Sequence, residues 1–158
     1  IRQPMILMEP GRSIVADAGM TLYTVQSTKS IPGYRNYTAI DGGMTDNLRY
    51  TLYESEYTVI NAGKARKEAD YTATISGRCC ESGDILQENV MLPKPRRNEI
   101  LAVLTTGAYN YSMASNYNRV PRPAVVFVEN GEHQLAIQRE SYEDLVVNDL
   151  PLTLKKGE

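Results

Sequence analysis

From Met20 onward, apolar and β-branched residues alternate with polar ones in short runs, divided by glycine, proline and asparagine. A period of two fits strands that turn one face to a core. Seven runs qualify: "TLYTVQSTKSI" at 21–31, "NYTAI" at 36–40, "EYTVINA" at 56–62, "DYTATISG" at 70–77, "EILAVLTTG" at 99–107, "PAVVFVE" at 123–129 and "EHQLAIQRE" at 132–140. Stretches such as "IPGYRN", "DGGM" and "VPRP" punctuate them, and Asn130 followed by Gly131 is the dipeptide that a tight hairpin turn favours. Ahead of Met20 the pattern differs. "PMILMEPGR" reads as a buried strand running into a turn at Pro10 and Gly11, and "SIVADAGMTLY" has the spacing of a short helix that Ser13 caps. Further short helices are predicted at "TDNLRYTLY", started by Thr45 or Asp46, and at "SYEDLVVND", capped by Ser141 with Glu143 and Asp144 in its first turn. The pattern predicts a mainly β fold, a barrel or sandwich with short helical inserts and no linker that divides it.

Composition supports a packed core and narrows the partners. Of 158 residues, 42% are hydrophobic and 23% charged, which is ordinary for a globular chain. Seventeen basic residues against nineteen acidic ones leave a net charge of −2, so no broad positive field invites nucleic acid or an anionic membrane. The basic run "KPRR" at 94–97 reads as a solvated loop. The longest apolar runs are far shorter than a membrane span and no secretion signal is recognisable, so a soluble, cytoplasmic chain is expected. The chain opens on Ile1 rather than methionine, and "PMILMEP" at 4–10 enters in the middle of an apolar run, as in a piece cut from a longer protein.

Both cysteines lie in "GRCCESGD" at 77–84. Neighbours in sequence bridge only through a strained ring, so two reduced thiols are expected. Zinc needs more ligands than these and His133 supply, and no metal is expected.

Four stretches are hard to explain as packing alone. In "EPGR" at 9–12 a glycine sits between an expected strand end and a helix, so backbone N–H groups face an anion such as phosphate, unless the segment is a plain turn. In "DGGMTDNLRYTLY" at 41–53 paired glycines allow close approach, and Arg49 and Tyr53 stand four apart on one helical face, a guanidinium fork and a phenol suited to a carboxylate. A surface arginine beside a half-buried tyrosine is the plainer alternative. Cys80, Glu81 and Ser82 offer a proton donor, an anion for an ammonium group and a hydroxyl, or else two structural thiols and their neighbours. "GAYNYSMASNYN" at 107–118 crowds three tyrosines and several amides into one loop, the composition of a binding loop.

"EPGRSIVADAG", "DGGMTDNLRYTLY", "GRCCESGDIL" and "GAYNYSMASNYNRVPRPA", in this order, resemble the C-terminal half of the diaminopimelate decarboxylase family, pyridoxal-phosphate enzymes of the alanine-racemase-like fold type. The resemblance spans nearly the whole chain. "EPGR" alone is shared with related amino-acid decarboxylases, whereas the ordered set is specific. It implies an alanine racemase C-terminal-like β-barrel over residues 21–158, preceded at 1–20 by the end of a (β/α)8 domain whose remainder, with the lysine that carries the cofactor, lies upstream. The chain's own lysines, at 29, 64, 67, 94, 155 and 156, match no cofactor motif.

By the same resemblance the backbone of Glu9, Pro10, Gly11 and Arg12 meets the cofactor phosphate, and Arg12 also faces substrate. Arg49 and Tyr53 bind substrate, Tyr109 touches both cofactor and substrate, Cys80 donates a proton and Glu81 binds substrate. Cys79 has no role in the motif. A homodimer is implied, with the Cys80 loop reaching into the partner's site. The implied reaction is pyridoxal 5'-phosphate-dependent decarboxylation of meso-2,6-diaminopimelate to L-lysine and CO2. The alternatives are a related basic-amino-acid or carboxynorspermidine-type decarboxylase, or a dimerisation module without catalysis.

Overall fold

The computed structural model describes residues 3–152, so Ile1, Lys155 and Lys156 lie outside the described residues. The chain divides into two compact units, Ile1–Ala114 and Ser115–Glu158.

The first unit is built on six strands: β1 Met20–Ile31, β2 Arg35–Ile40, β3 Val59–Asn61, β4 Tyr71–Ser76, β5 Ile85–Leu92 and β6 Ile100–Leu104. They lie in the order β3-β6-β1-β2-β4-β5. β1 holds the sheet together because it is long enough for two partners: its first half pairs with β6 and its second with β2, both antiparallel. The register slips between Val25 and Ser27, where a bulge bends the strand from one partner to the other. β2 and β4 run parallel, so the chain crosses over between them. The two edges approach each other, and the Gln87 side chain on β5 accepts a hydrogen bond from Tyr57 N just before β3 at 2.8 Å. The result is a nearly closed, barrel-like sheet. Its interior carries Val25, Ile40, Ile75, Leu86, Leu101 and Val103, each essentially buried. Pro32 and Gly33, with φ +73° at the glycine, form the β1–β2 turn.

β5 is the strand that alternation alone did not mark. Its sequence "ILQENVML" has three polar residues in the middle, and Asn89 stands at φ +53° in a left-handed conformation. The pairing with β4 shifts register there, so the apolar residues on either side of the bulge return to the core out of phase.

Three local expectations are corrected. The segment 3–10 forms no strand and is exposed; Met5, Ile6, Leu7 and Met8 are each about four-fifths exposed, because the described chain offers no strand to pair with them. The first helix, α1, spans only Arg12–Val15, followed by a 3-10 turn at Ala16–Ala18, and Gly11 rather than Ser13 precedes it. The second, α2, spans Arg49–Tyr53, later than Thr45 or Asp46 would start it. The Asp46 carboxylate is engaged elsewhere: it accepts the Gly43 N–H at 3.0 Å and the Tyr23 phenol. Burial pushes the Tyr23 phenol well up, so it stays protonated as the donor.

The second unit contains the hairpin β7 Val125–Glu129 and β8 Glu132–Ile137. Asn130 and Gly131 close it with φ of +51° and +84°, the paired left-handed conformation of the predicted turn. The predicted helix at 141–149 is a 3-10 turn at Asp144–Val146, and Ser141 caps it reciprocally: its Oγ accepts from Asp144 N while Asp144 Oδ2 accepts from Ser141 N.

Glu140 ties this unit together. It accepts from Arg122 N at 2.8 Å, Arg122 Nε at 2.7 Å and Asn116 Nδ2 at 2.6 Å. The Arg122 hydrogen bonds hold its carboxyl down, at about 2 against an ordinary 4.5. A depressed folded pKa adds stability that is complete above the unfolded value and is lost as pH falls through the folded one. Unfolding by urea is therefore expected to become easier between pH 4.5 and 2, and Glu140→Gln should flatten that dependence. An unchanged pH slope in the variant would contradict the assignment.

Candidate functional site

The "EPGR" turn and the loop of Tyr109 meet beside Arg49 of α2. Gly11 enters α1 by accepting the Ile14 N–H at 3.1 Å. A Cβ on Gly11 would stand 2.0 Å from the Tyr109 hydroxyl, so with any other residue at this position of the "EPGR" turn the phenol would have to shift. The loop carrying Tyr109 is fastened to the same turn by backbone: Gly107 N donates to Ala16 O at 2.9 Å and Thr106 N to Gly19 O at 3.0 Å. Gly107 has no room for a side chain either, since its Cβ would meet Val15 O at 2.0 Å. Tyr109 itself is held at φ +61°, a strained conformation for a residue with a bulky side chain.

The guanidinium of Arg12 lies 5.4 Å from the centre of the Tyr109 ring, and that of Arg49 lies 5.8 Å from it. Arg49 also stacks at 4.5 Å on Tyr53, the partner expected from their four-residue spacing on α2. Arg12 Nη2 and Arg49 Nε are buried and have no hydrogen-bond acceptor. Each of these two cations at one phenol ring keeps a desolvated N–H left over, a donor suited to a carboxylate or phosphate oxygen. Gly11, Arg12, Arg49, Tyr53 and Tyr109 are thus brought together, while Glu9 and Pro10 are exposed beside them.

Cys80 and Glu81 are placed differently. Their loop is tied to α2 by Thr51, whose hydroxyl donates to Gly83 O at 3.0 Å. Thr51 is two residues from Arg49 and so points away from the Arg49 face of the helix. Cys80 is exposed and Cys79 half-buried, and neither is in a disulfide. Glu81 is exposed and accepts from the Gly83 N–H of its own loop at 3.2 Å. Burial, and then the neighbouring Asp84 carboxylate, push the Cys79 thiol up to about 11, so this thiol remains protonated.

The paired glycines of "DGGM" admit protein groups at close range. A Cβ on Gly42 would be 2.4 Å from the Tyr23 ring, and one on Gly43 would be 2.4 Å from Asp84 Oδ1. Asp84 was not marked as special by spacing. An aspartate closing the "GRCCESGD" run is the trace it leaves in the sequence. A cavity of about 740 Å³, with Lys64, Lys67, Lys94, Arg96 and Arg97 in its lining beside Glu68 and Asp70, involves none of these residues, and "KPRR" contributes to its wall. Among the described residues no helix is long and apolar enough to cross a membrane, and no group of three His, Cys, Asp or Glu side chains is set to hold a metal ion.

Residues 13–107 match the family model of the pyridoxal-dependent decarboxylase C-terminal sheet domain. The chain belongs to that family. Relatives of this decarboxylase domain include the diaminopimelate decarboxylases of Bacillus subtilis, 57% identical over 94% of the chain, and of Halalkalibacterium halodurans, 55% identical over 96%. They are longer proteins: the chain spans about a third of their length, 34% and 35%. The crystal structure of the diaminopimelate decarboxylase from M. jannaschii in co-complex with L-lysine superposes with a TM-score of 0.83 at 36% identity, covering 91% of this chain and 32% of that one. The decarboxylase sheet domain therefore has the barrel-like fold expected from the sequence. Pyridoxal phosphate carries an anion, and the Gly11–Arg12 turn with Tyr109 is where the residues present suit it.

Proposed function

We propose that this chain is the C-terminal part of a meso-diaminopimelate decarboxylase, which converts meso-2,6-diaminopimelate to L-lysine and CO2 as the last step of lysine biosynthesis. The observation that carries this reading is the pair of buried, unpartnered guanidinium nitrogens of Arg12 and Arg49 at the Tyr109 ring. L-lysine, the product in this reading, is the ligand of the M. jannaschii diaminopimelate decarboxylase structure, which supports it. In this reading residues 1–20 end a (β/α)8 domain and 21–158 form the β-domain, in a cytoplasmic homodimer with the active site shared between subunits.

Pyridoxal 5'-phosphate, when bound, supplies the electron sink for the charge left at Cα as the carboxylate departs. The chain's own residues do the rest. The backbone of Glu9, Pro10, Gly11 and Arg12 faces the phosphate, and Tyr109 lies against both cofactor and substrate. Arg12 and Arg49, with the Tyr53 phenol, hold substrate carboxylate by charge-assisted hydrogen bonds. Glu81 accepts the distal ammonium. Cys80 holds a proton on Sγ and delivers it to Cα, after which solvent reprotonates the thiolate. Cys80 and Glu81 are exposed on the far side of α2 from Arg49, which favours delivery into a partner subunit's site.

The test is substrate choice by the full-length protein supplied with pyridoxal phosphate. Lysine and CO2 should form from meso-2,6-diaminopimelate about a hundredfold more efficiently than diamines form from ornithine or lysine, because a site built for a distal carboxylate leaves its arginine unpaired with substrates that lack one. Preference for ornithine or lysine would replace this reading with the basic-amino-acid alternative.

A further inference from the structure

Asp84 is buried, at 3% exposure, and both of its carboxylate oxygens are occupied by backbone donors from two different loops. Oδ1 accepts from Met44 N at 2.7 Å, in the segment that leads to α2 and Arg49. Oδ2 accepts from Cys79 N at 2.7 Å, in the loop that carries Cys80. The carboxylate fits only because glycines flank it: a Cβ on Gly43 would be 2.4 Å from it and one on Gly77 2.1 Å. Two backbone bonds run alongside, Gly77 N to Asp84 O at 2.8 Å and Arg78 N to Gly42 O at 3.0 Å. The carboxylate is thus a cross-brace between the arginine-bearing and thiol-bearing segments.

We propose that Asp84 is the positioning residue of the thiol loop: its carboxylate pins Cys79 N against the Gly42 and Gly43 turn, so that Cys79 turns inward and Cys80 is presented outward. The brace acts through the loop, since Asp84 itself need not touch substrate. It also separates the chemistry of the two neighbouring thiols, because the inward one shares its surroundings with a carboxylate and stays protonated, in line with the direction of its pKa. The catalytic arm of the test below rests on the decarboxylase reading; the labelling arm does not.

In Asp84→Asn the amide keeps the size but offers one acceptor oxygen. Whichever way it flips, either Met44 N or Cys79 N faces an N–H group. The full-length protein and this variant are labelled with iodoacetamide at mildly alkaline pH, and the two cysteines are read separately by mass spectrometry. In the unsubstituted protein Cys80 should react about tenfold faster than Cys79 or more. In Asp84→Asn that ratio should fall toward one, and turnover of meso-2,6-diaminopimelate should lose about tenfold in kcat with KM changed by less than about threefold.

A changed ratio with unchanged kcat would support the brace and count against Cys80 as the proton donor. An unchanged ratio in a folded variant would overturn the brace, whatever kcat does. Should Asp84→Asn fail to fold, the unsubstituted protein still decides: equal labelling of Cys79 and Cys80 would overturn the inward and outward placement.

Discussion

Replacing Cys80 with alanine in the full-length protein is expected to lower kcat by about 10²–10⁴-fold, the usual contribution of a positioned proton donor. Replacing Cys79, the adjacent residue, should cost no more than about a few-fold, the effect of a small packing change. The difference follows from placement. Cys80 is exposed at the turn of its loop, whereas Cys79 is half-buried beside Asp84 with its thiol pushed up to about 11. Steady-state turnover of both variants on meso-2,6-diaminopimelate, with the fold checked by thermal unfolding, is the measurement. Equal losses would refute the division of labour between the two thiols.

Arg49→Ala is the second large effect. Arg49 contributes a buried Nε without an acceptor and lies within about 6 Å of the ring centres of both Tyr53 and Tyr109, at 4.5 and 5.8 Å. Its loss should weaken capture of a substrate with a distal carboxylate by about 2–4 kcal/mol, or roughly 30- to 1000-fold in kcat/KM, because the carboxylate then enters a desolvated site without its partner. A substrate lacking that carboxylate should be affected by less than about fivefold. The stacking contacts that disappear are worth only about 0.5–1 kcal/mol at a partly exposed site, so the domain itself should stay folded. Comparable losses on both kinds of substrate would mean that Arg49 serves the cofactor or the fold and does not read the distal end.

Much of this was legible along the chain because the relevant physics is local. Five of the strands and the hairpin announce themselves through alternation between turn residues, and the Asn130 and Gly131 turn follows from which residues tolerate a left-handed backbone. The Arg49 and Tyr53 stack follows from four-residue spacing on a single helical turn. Where the expectation failed, a non-local term had entered. β5 was hidden because Asn89 inserts a bulge whose geometry is set by pairing with β4. α2 begins late because Asp46 is drawn to Gly43 and to a core tyrosine 23 positions earlier in the chain. The apolar run at 5–8 signals burial, yet a strand needs a neighbour to bond with, and none is described.

The order and chemistry of the four motifs, and with them the family, were determined by the sequence alone, since residue type and spacing are written directly in it. The meeting of Gly11 with Tyr109, 98 positions apart, and the bracing of Cys79 and Met44 by Asp84 were decided only by the tertiary structure. The physical reason is one of range. Steric room for a missing Cβ, and the desolvated donors that a carboxylate must satisfy, exist only after the sheet has closed and brought distant loops to within hydrogen-bonding distance.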